Sequence, residues 1–443
     1  MKAIIIGGVA AGMSAASKIK RSDPSAEVTV YERGNFLSYG ACGLPYYIGG
    51  FNQDYKKLIA RSREQFEKTG IETHLDHTVL SVNAKAKTVE IRNNGNGEVF
   101  QDRYDKLLIA VGCNSAIPPI KGIENEGVVF LKSMEDGLVL QQLATSKLTE
   151  ECLIVGGGYI GVEMAEAFTA LGKKVTLIES APRILMPFEP EVAELAKTEL
   201  IRQGVKVITG EQVQEIKSDG SGRMVETNRS RYKTDLILVA TGVMPATSFL
   251  ESTGIRMDRN GAIIVDREMR SSISDIYAAG DCAVTFNKIM EEDYFLPLGT
   301  VANKCGRIAG ANIAGNHEKF VGALGSAAIK VFDLELARTG MSEADADRLG
   351  IEYKTKIVTT YDHPGYYPDQ SEILIKLIYE KGTYILLGAS AAGKKNAVLR
   401  TNIFALAIHN KMTTKELGMV DLAYAPPFAG VWDAVHIAAN AAK

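Results

Sequence analysis

Cys152-Leu153-Ile154-Val155-Gly156-Gly157-Gly158-Tyr159-Ile160-Gly161 is the stretch that decides the fold of this chain. An apolar run gives way at once to glycines, as where a parallel strand buried on both faces ends in a nucleotide-binding turn. Gly156 permits the tight turn, Gly158 lets the backbone approach a pyrophosphate, and Gly161 allows the next helix to pack closely on the strand. A helix beginning at Tyr159 and Ile160 offers unpaired N–H groups and its positive dipole end to phosphate. The next strand, Lys174 to Ile178, ends at Glu179. A carboxylate there accepts hydrogen bonds from a free ribose 2′-hydroxyl and repels a 2′-phosphate. The pattern points to NADH, while Arg183 nearby keeps NADPH open. A bare glycine turn explains these residues poorly, because strand, turn, helix and acid all coincide.

The N-terminus repeats the pattern less cleanly. Ala3 to Ile6 is apolar, Gly7-Gly8-Val9-Ala10-Ala11-Gly12 follows, and a helical pattern runs to about Arg21. The strand Val28-Thr29-Val30-Tyr31 then ends at Glu32, an acid about 20 residues past the turn. Val9 stands where the middle glycine would be. Lys2, the apolar run and Ser14-Ala15-Ala16 imitate a signal peptide, but Gly7, Gly8 and Gly12 interrupt it where a nucleotide turn belongs. A cytoplasmic location is therefore expected. Two further segments, Tyr104 to Gly112 and Thr234 to Gly242, each run from an acid through apolar residues to glycine. They lie where a chain would cross between two nucleotide-binding units. Ile276-Tyr277-Ala278-Ala279-Gly280-Asp281 adds an apolar strand, a glycine and a carboxylate. Two dinucleotide sites in one chain imply electron transfer between two dinucleotides.

Composition bounds the rest. A length of 443 residues implies roughly three domains. The chain is 46% hydrophobic and 23% charged, with a net charge of −3, as expected for a globular protein. No basic stripe suggests nucleic acid, and no apolar run reaches the length of a membrane span. The five cysteines are widely spaced and odd in number, with no C-x-x-C pair and no zinc spacing, so neither a disulfide framework nor a metal site is expected.

In their order these motifs resemble the pyridine nucleotide–disulfide oxidoreductase family, from one end of the chain to the other. The resemblance implies an α/β fold with two Rossmann-like domains, one for FAD and one for NAD(P)H, plus a C-terminal α+β dimerisation domain. Residues 1–110 and 243–320 would bind FAD, 111–242 the nicotinamide cofactor, and 321–443 would form the interface of a homodimer. Gly7, Gly8, Ala11, Gly12, Glu32, Arg33, Ala110, Gly112, Gly280, Asp281, Gly299 and Thr300 would be among the cofactor-binding residues. Glu32 would take the adenosine ribose and Asp281 the ribityl–phosphate region. The segment from Pro297 to Thr300 would begin a helix whose positive end stabilises reduced flavin. Gly156, Gly158, Tyr159, Ile160, Gly161, Glu163, Glu179 and Gly242 would serve the nicotinamide cofactor. Tyr159 would cover the flavin face until nicotinamide displaces it, with Glu163 close to hydride transfer. Met244 and Ala246 depart from the Arg and Asn usual in the family at the domain crossover.

Ser38-Tyr39-Gly40-Ala41-Cys42-Gly43-Leu44-Pro45-Tyr46-Tyr47 places a cysteine ten residues after Glu32, where a flavin could lie near it. Relatives that reduce glutathione or lipoamide carry C-x-x-x-x-C here, but Tyr47 stands at the second position. A lone cysteine can still cycle two electrons, through a mixed disulfide, a persulfide or a sulfenic acid. Helix N-termini and cationic neighbours would lower its pKa from about 8.5 to roughly 3.5–7.5. Cys113, Cys152, Cys282 and Cys305 read as buried and inert.

The run from Cys42 to Tyr47 resembles the coenzyme A–disulfide reductase branch, with Ala41 in place of the usual Asn. Ala10 stands where the family's NADH oxidases and peroxidases carry histidine, which disfavours oxygen reduction. Tyr366 (with Tyr367 the weaker choice) and Tyr424 resemble tyrosines that the branch supplies from the partner subunit, placed to protonate a departing thiolate. Packing with a satisfied hydroxyl is the commoner role of a tyrosine. Lys18, Arg21 and Ser38 match the branch's substrate-contact region. Ala41, Arg61 and Trp432 join them, although a solvated face is the ordinary reading of such charges. The function implied is reduction of coenzyme A disulfide, or of a related persulfide or polysulfide, through Cys42. The alternatives are an NADH oxidase or peroxidase using a Cys42 sulfenic acid, and a relay to a partner redox protein.

Overall fold

A computed structural model describes residues 1–218 and 222–443. The N-terminal sheet is parallel, in the order Ile276–Ala278, Lys106–Ile109, Lys2–Ile6, Glu27–Tyr31, Ile71–His74. Lys2–Ile6 and Lys106–Ile109 are near-continuous apolar runs, and Ile4, Ile5, Leu107 and Leu108 are wholly buried because both faces are covered. The central sheet repeats this arrangement with Lys206–Thr209, Lys174–Glu179, Glu151–Val155, Leu236–Val239 and Val128–Phe130. Each unit also carries a three-stranded antiparallel meander, at His77–Arg103 and at Val213–Thr234.

The chain passes between the units twice. Strands Cys113–Ser115 and Val243–Pro245 pair antiparallel at that crossing, Met244 opposite Asn114. The two acidic–apolar–glycine segments lead directly into these strands, so both crossings lie side by side. Helices Ala10–Ser22 and Gly299–Ile313 pack so closely that a Cβ on Gly306 or Gly310 would overlap the backbone of Ala11 or Ala15. Small residues at that crossing thus bring the start of the first helix against the middle of the second.

The tail is a five-stranded antiparallel sheet with helix Ala397–His409 packed on it. That helix is apolar on both sides. Phe404, Ala407 and Ile408 are buried in the chain, whereas Leu399 and Leu406 are 65% and 67% exposed. An apolar face open to water beside a packed core is the mark of a protein–protein contact. No helix among the described residues is long and apolar enough to cross a membrane.

Candidate functional site

The two glycine turns are built alike. Gly7 and Gly156 have φ of +103° and +110°, a conformation that only glycine adopts without strain. A Cβ on Gly12 would overlap the carbonyl oxygen of Gly7, and one on Gly161 that of Gly156. Each acid at the second strand end clamps its turn. Glu32 accepts hydrogen bonds from the N–H groups of Gly8 and Gly34 at 2.7 and 2.8 Å. Glu179 does the same for Gly157 and Ala181 at 2.6 and 2.7 Å. Both carboxylates therefore serve the loop itself, and each carboxylate keeps acceptor capacity for a ribose hydroxyl.

The helix starts fit two dinucleotides. Helices beginning at Arg63, Met134, Glu343, Thr414 and Ala434 all carry capping boxes. Those beginning at Ala10, Tyr159 and Gly299 have no side-chain cap and no acid in the first turn. Their N–H groups and dipole ends are left for an anion from outside the helix. Open space lies before Gly112, Gly158, Gly242 and Gly299, whose missing side chains leave a backbone cradle. Thr300 follows Gly299 in the first turn, as the sequence predicts. Ala110 sits against Gly7 and hydrogen-bonds to Ile6, and Arg33 donates to Asn114 at 2.8 Å.

Cys42 lies in a single turn, Ala41–Gly43, that runs into helix Leu44–Ile48. The residue is exposed, yet protein crowds its thiol and raises it. Burial is the main cause, Glu163 adds to it, and Lys132 opposes both. The expectation of a lowered pKa is thus corrected for the protein by itself: the larger charge effect is that of a carboxylate, and the opposing cation is shared. Lys132 Nζ donates to Asp281 at 3.2 Å, which spends much of its field on that acid. Glu163 is itself pushed up to about 7 by burial and by Glu166. Glu166 in turn is held by Lys330 at 3.1 Å and by the N–H of Phe332 at 2.8 Å. Tyr159 packs against Phe188, ring centroids 5.7 Å apart.

The sequence reading missed Lys132. A Ser133-x-x-Asp136 capping box just behind it was legible, but its meeting with Asp281, 149 residues away, was not. Tyr46, one helical turn beyond Cys42, was also passed over; burial and Glu163 push it up to about 12. Cys113, Cys152, Cys282 and Cys305 are buried, as expected, and burial pushes each up to about 12.

The substrate candidates divide. Ser38 has φ +48°, and its N–H donates to the carbonyl of Gly8, so it adjoins the first turn. Arg61 lines a groove of about 510 Å³ with Phe36, Tyr55 and Lys56, and its guanidinium lies 4.1 Å over the Phe66 ring. Lys18 pairs with Glu318 at 3.2 Å, whereas Arg21 extends into solvent. In the tail, Tyr366 and Tyr424 meet hydroxyl to hydroxyl at 3.1 Å. Trp432 stands edge-on to His436 with centroids 5.7 Å apart. The charged groups acting on Cys42 all come from residues before 301, and the tyrosine pair is not among them.

Residues 1–301 match the family model described as pyridine nucleotide-disulphide oxidoreductase, and 326–435 match its dimerisation domain. The chain belongs to this family. It is 35% identical, over its whole length and 98% of the relative, to the NAD(P)H coenzyme A polysulfide/persulfide reductase of Pyrococcus horikoshii. An NAD-dependent persulfide reductase from A. fulgidus superposes with a TM-score of 0.96 at 37% identity, covering 99% of this chain and 82% of that one. A water-forming NADH oxidase from Lactobacillus brevis, 31% identical, also gives 0.96, over 100% of this chain and 98% of its own. The family and the paired Rossmann-like folds expected from the motifs are both found.

Proposed function

We propose that this protein is an NAD(P)H-dependent flavoprotein that reduces coenzyme A disulfide, or a related persulfide or polysulfide, through Cys42. The observation that carries the reading is the cluster at Cys42: the one exposed cysteine among the described residues, with Glu163, Lys132 and Asp281 close enough to act on it. Residues 1–110 and 243–320 form the FAD domain, 111–242 the nicotinamide domain and 321–443 the interface of a homodimer. FAD, when bound, takes two electrons from the nicotinamide and delivers them to sulfur.

The chain's own groups do the rest. The Cys42 thiolate attacks one sulfur of the substrate disulfide, forming a mixed disulfide and releasing the first coenzyme A thiolate. A tyrosine hydroxyl, from the partner's copy of the Tyr366–Tyr424 pair, protonates that leaving sulfur. Two electrons then cleave the Cys42–sulfur bond, releasing the second thiol and regenerating the thiolate. The net reaction consumes one disulfide, one NADH and one proton, and yields two thiols and NAD⁺. Lys132, beside Asp281, would meet a flavin phosphate as a point charge. Arg61 and Lys56 give the neighbouring groove the positive charge that a phosphorylated substrate requires.

NADH is the preferred donor in this reading. Arg183 donates to the carbonyls of Leu185 and Met186 at 3.1 and 3.0 Å, so its guanidinium is occupied, while Glu179 stands at the ribose position. A second reading, NADH oxidase, draws support from the Lactobacillus brevis likeness. Ala10 in the first turn, where that chemistry uses an imidazole, favours the disulfide. Anaerobic reduction with NADH, followed by turnover with coenzyme A disulfide, polysulfide, peroxide and oxygen, separates these readings in wild type and Cys42→Ser. Disulfide turnover that survives the substitution would remove the proposal.

A further inference from the structure

We infer that Arg400 is a positioning residue for the tyrosine pair, a buried guanidinium joint that fixes the two loops carrying Tyr366 and Tyr424 in register. The inference rests on the reading of those tyrosines as proton donors to the substrate sulfur.

The tyrosine rings are not held by packing within their own chain. Tyr366 is 73% exposed and Tyr424 45%, yet their hydroxyls lie within hydrogen-bond distance. They stand on separate loops, 58 residues apart in the chain. Two solvated side chains meet this way only if the loops beneath them are fixed to each other.

Arg400 provides that fixing. It projects from helix Ala397–His409 and is 5% exposed. Its Nη2 donates to the carbonyl of Asp362, at the root of the Tyr366 loop, at 2.7 Å. The same nitrogen lies 3.3 Å from the carbonyl of Phe428, in the Tyr424 loop. Nε and Nη2 together hold the Asp433 carboxylate at 2.8–3.1 Å. One planar group therefore touches both loops and the residue that ends the second.

Each loop is stiff from that point outward. The Asp362 carboxylate accepts from Ser371 N–H at 2.8 Å and lies 2.9 Å from His363 Nδ1, closing the first loop. His363 Nε2 reaches the Pro368 carbonyl at 3.1 Å, and its ring stacks edge-on with Tyr367. In the second, Asp433 caps the last helix through Val435 N–H at 2.8 Å. His436 Nδ1 accepts from the Asp433 N–H, so its Nε2 carries hydrogen and donates to Val420, four residues before Tyr424.

A buried ion pair adds little stability over apolar residues of the same shape, because desolvation offsets the attraction. What an apolar side chain could not supply is direction. A guanidinium presents several N–H groups in a rigid fork, which sets the angle between two carbonyls from different loops. Lysine keeps the charge but not the fork.

The test uses flavin-loaded dimer and stopped-flow absorbance to separate flavin reduction by NADH from reoxidation by coenzyme A disulfide. Arg400→Lys is expected to slow reoxidation roughly 10- to 100-fold, as misplacements of about 1 Å do, and to leave reduction within about twofold. Combined with Tyr366→Phe and Tyr424→Phe, it should add no further slowing, since the group it positions is gone. Asp433→Asn keeps a good helix cap and one acceptor for Arg400, so a smaller effect of the same kind is expected. It carries the test if Arg400→Lys does not fold. Unchanged reoxidation in a folded Arg400 or Asp433 variant, when the tyrosine variants are slow, overturns the inference. So does slowing that adds fully to theirs. If the tyrosine variants reoxidise normally, the reading of the tyrosines fails instead, whatever Arg400 does.

Discussion

The two nucleotide units follow one plan for some thirty residues and then part. In the first, Glu32 clamps Gly8, and Ser38 N–H bonds the Gly8 carbonyl at φ +48°. In the second, Glu179 clamps Gly157, and Leu185 N–H bonds the Gly157 carbonyl at φ +49°. Both contacts fall six residues after the acid. Four residues later the first unit places Cys42, in a turn open to solvent, and the second places Glu189, buried at the start of helix Pro190–Arg202. Glu189, with Glu191 and Glu343, surrounds the buried Lys376 of the tail sheet at 2.9–3.0 Å. One scaffold therefore presents an exposed cysteine from one copy and a docking carboxylate from the other. The shared part binds its own glycines, and only the chain leaving it is free to take a new role.

Removing the thiol should have the largest effect. Cys42→Ser in the flavin-loaded protein should lower disulfide reduction by about a thousandfold or more, with flavin reduction by NADH nearly unchanged, because hydroxyls do not undergo disulfide exchange. Stopped-flow absorbance reads both steps, and equal loss in both would mean that the first unit's loop serves more than sulfur chemistry. Next come the third glycines. Gly12→Ala should yield protein without flavin absorbance, whereas Gly161→Ala should keep the flavin and raise the KM for NADH about tenfold or more, since each Cβ meets a backbone oxygen. Identical behaviour of the two variants would break the division of labour between the turns.

Lys376→Met tests the docking carboxylate. It strands the buried Glu189 and should cost about 3 kcal/mol of unfolding free energy in a denaturant titration, with Glu189→Gln in the same chain restoring part of it. The smallest effect concerns charge beside the thiol. Glu163 ionises as pH rises through about 7, and its charge then raises Cys42. Glu163→Gln should therefore speed alkylation of Cys42 several-fold at about pH 8, and the gain should shrink toward about pH 5.5, where Glu163 is protonated.

Much of the fold was legible because its signals are local. Glycines whose Cβ would strike their own loop, apolar runs covered on both faces, and an acid at a strand end all act within some thirty residues. The segments that lead into both crossings, Tyr104 to Gly112 and Thr234 to Gly242, were legible for the same reason. The meanders were not, as their half-exposed strands alternate weakly. Among site residues, Cys42, Glu163, Tyr366 and Tyr424 could be named in advance, but not their company. Lys132 meets Asp281, Lys330 meets Glu166 and Arg400 joins Asp362 to Phe428 across 149, 164 and 28 to 38 residues.

The sequence alone thus determined two nucleotide turns, their acids and the lone thiol, because steric exclusion at glycine and strand periodicity are properties of short segments. Only the tertiary structure decided the charge around that thiol and the pairing of the tail tyrosines. Those depend on burial and on distances between remote residues, which no local pattern encodes.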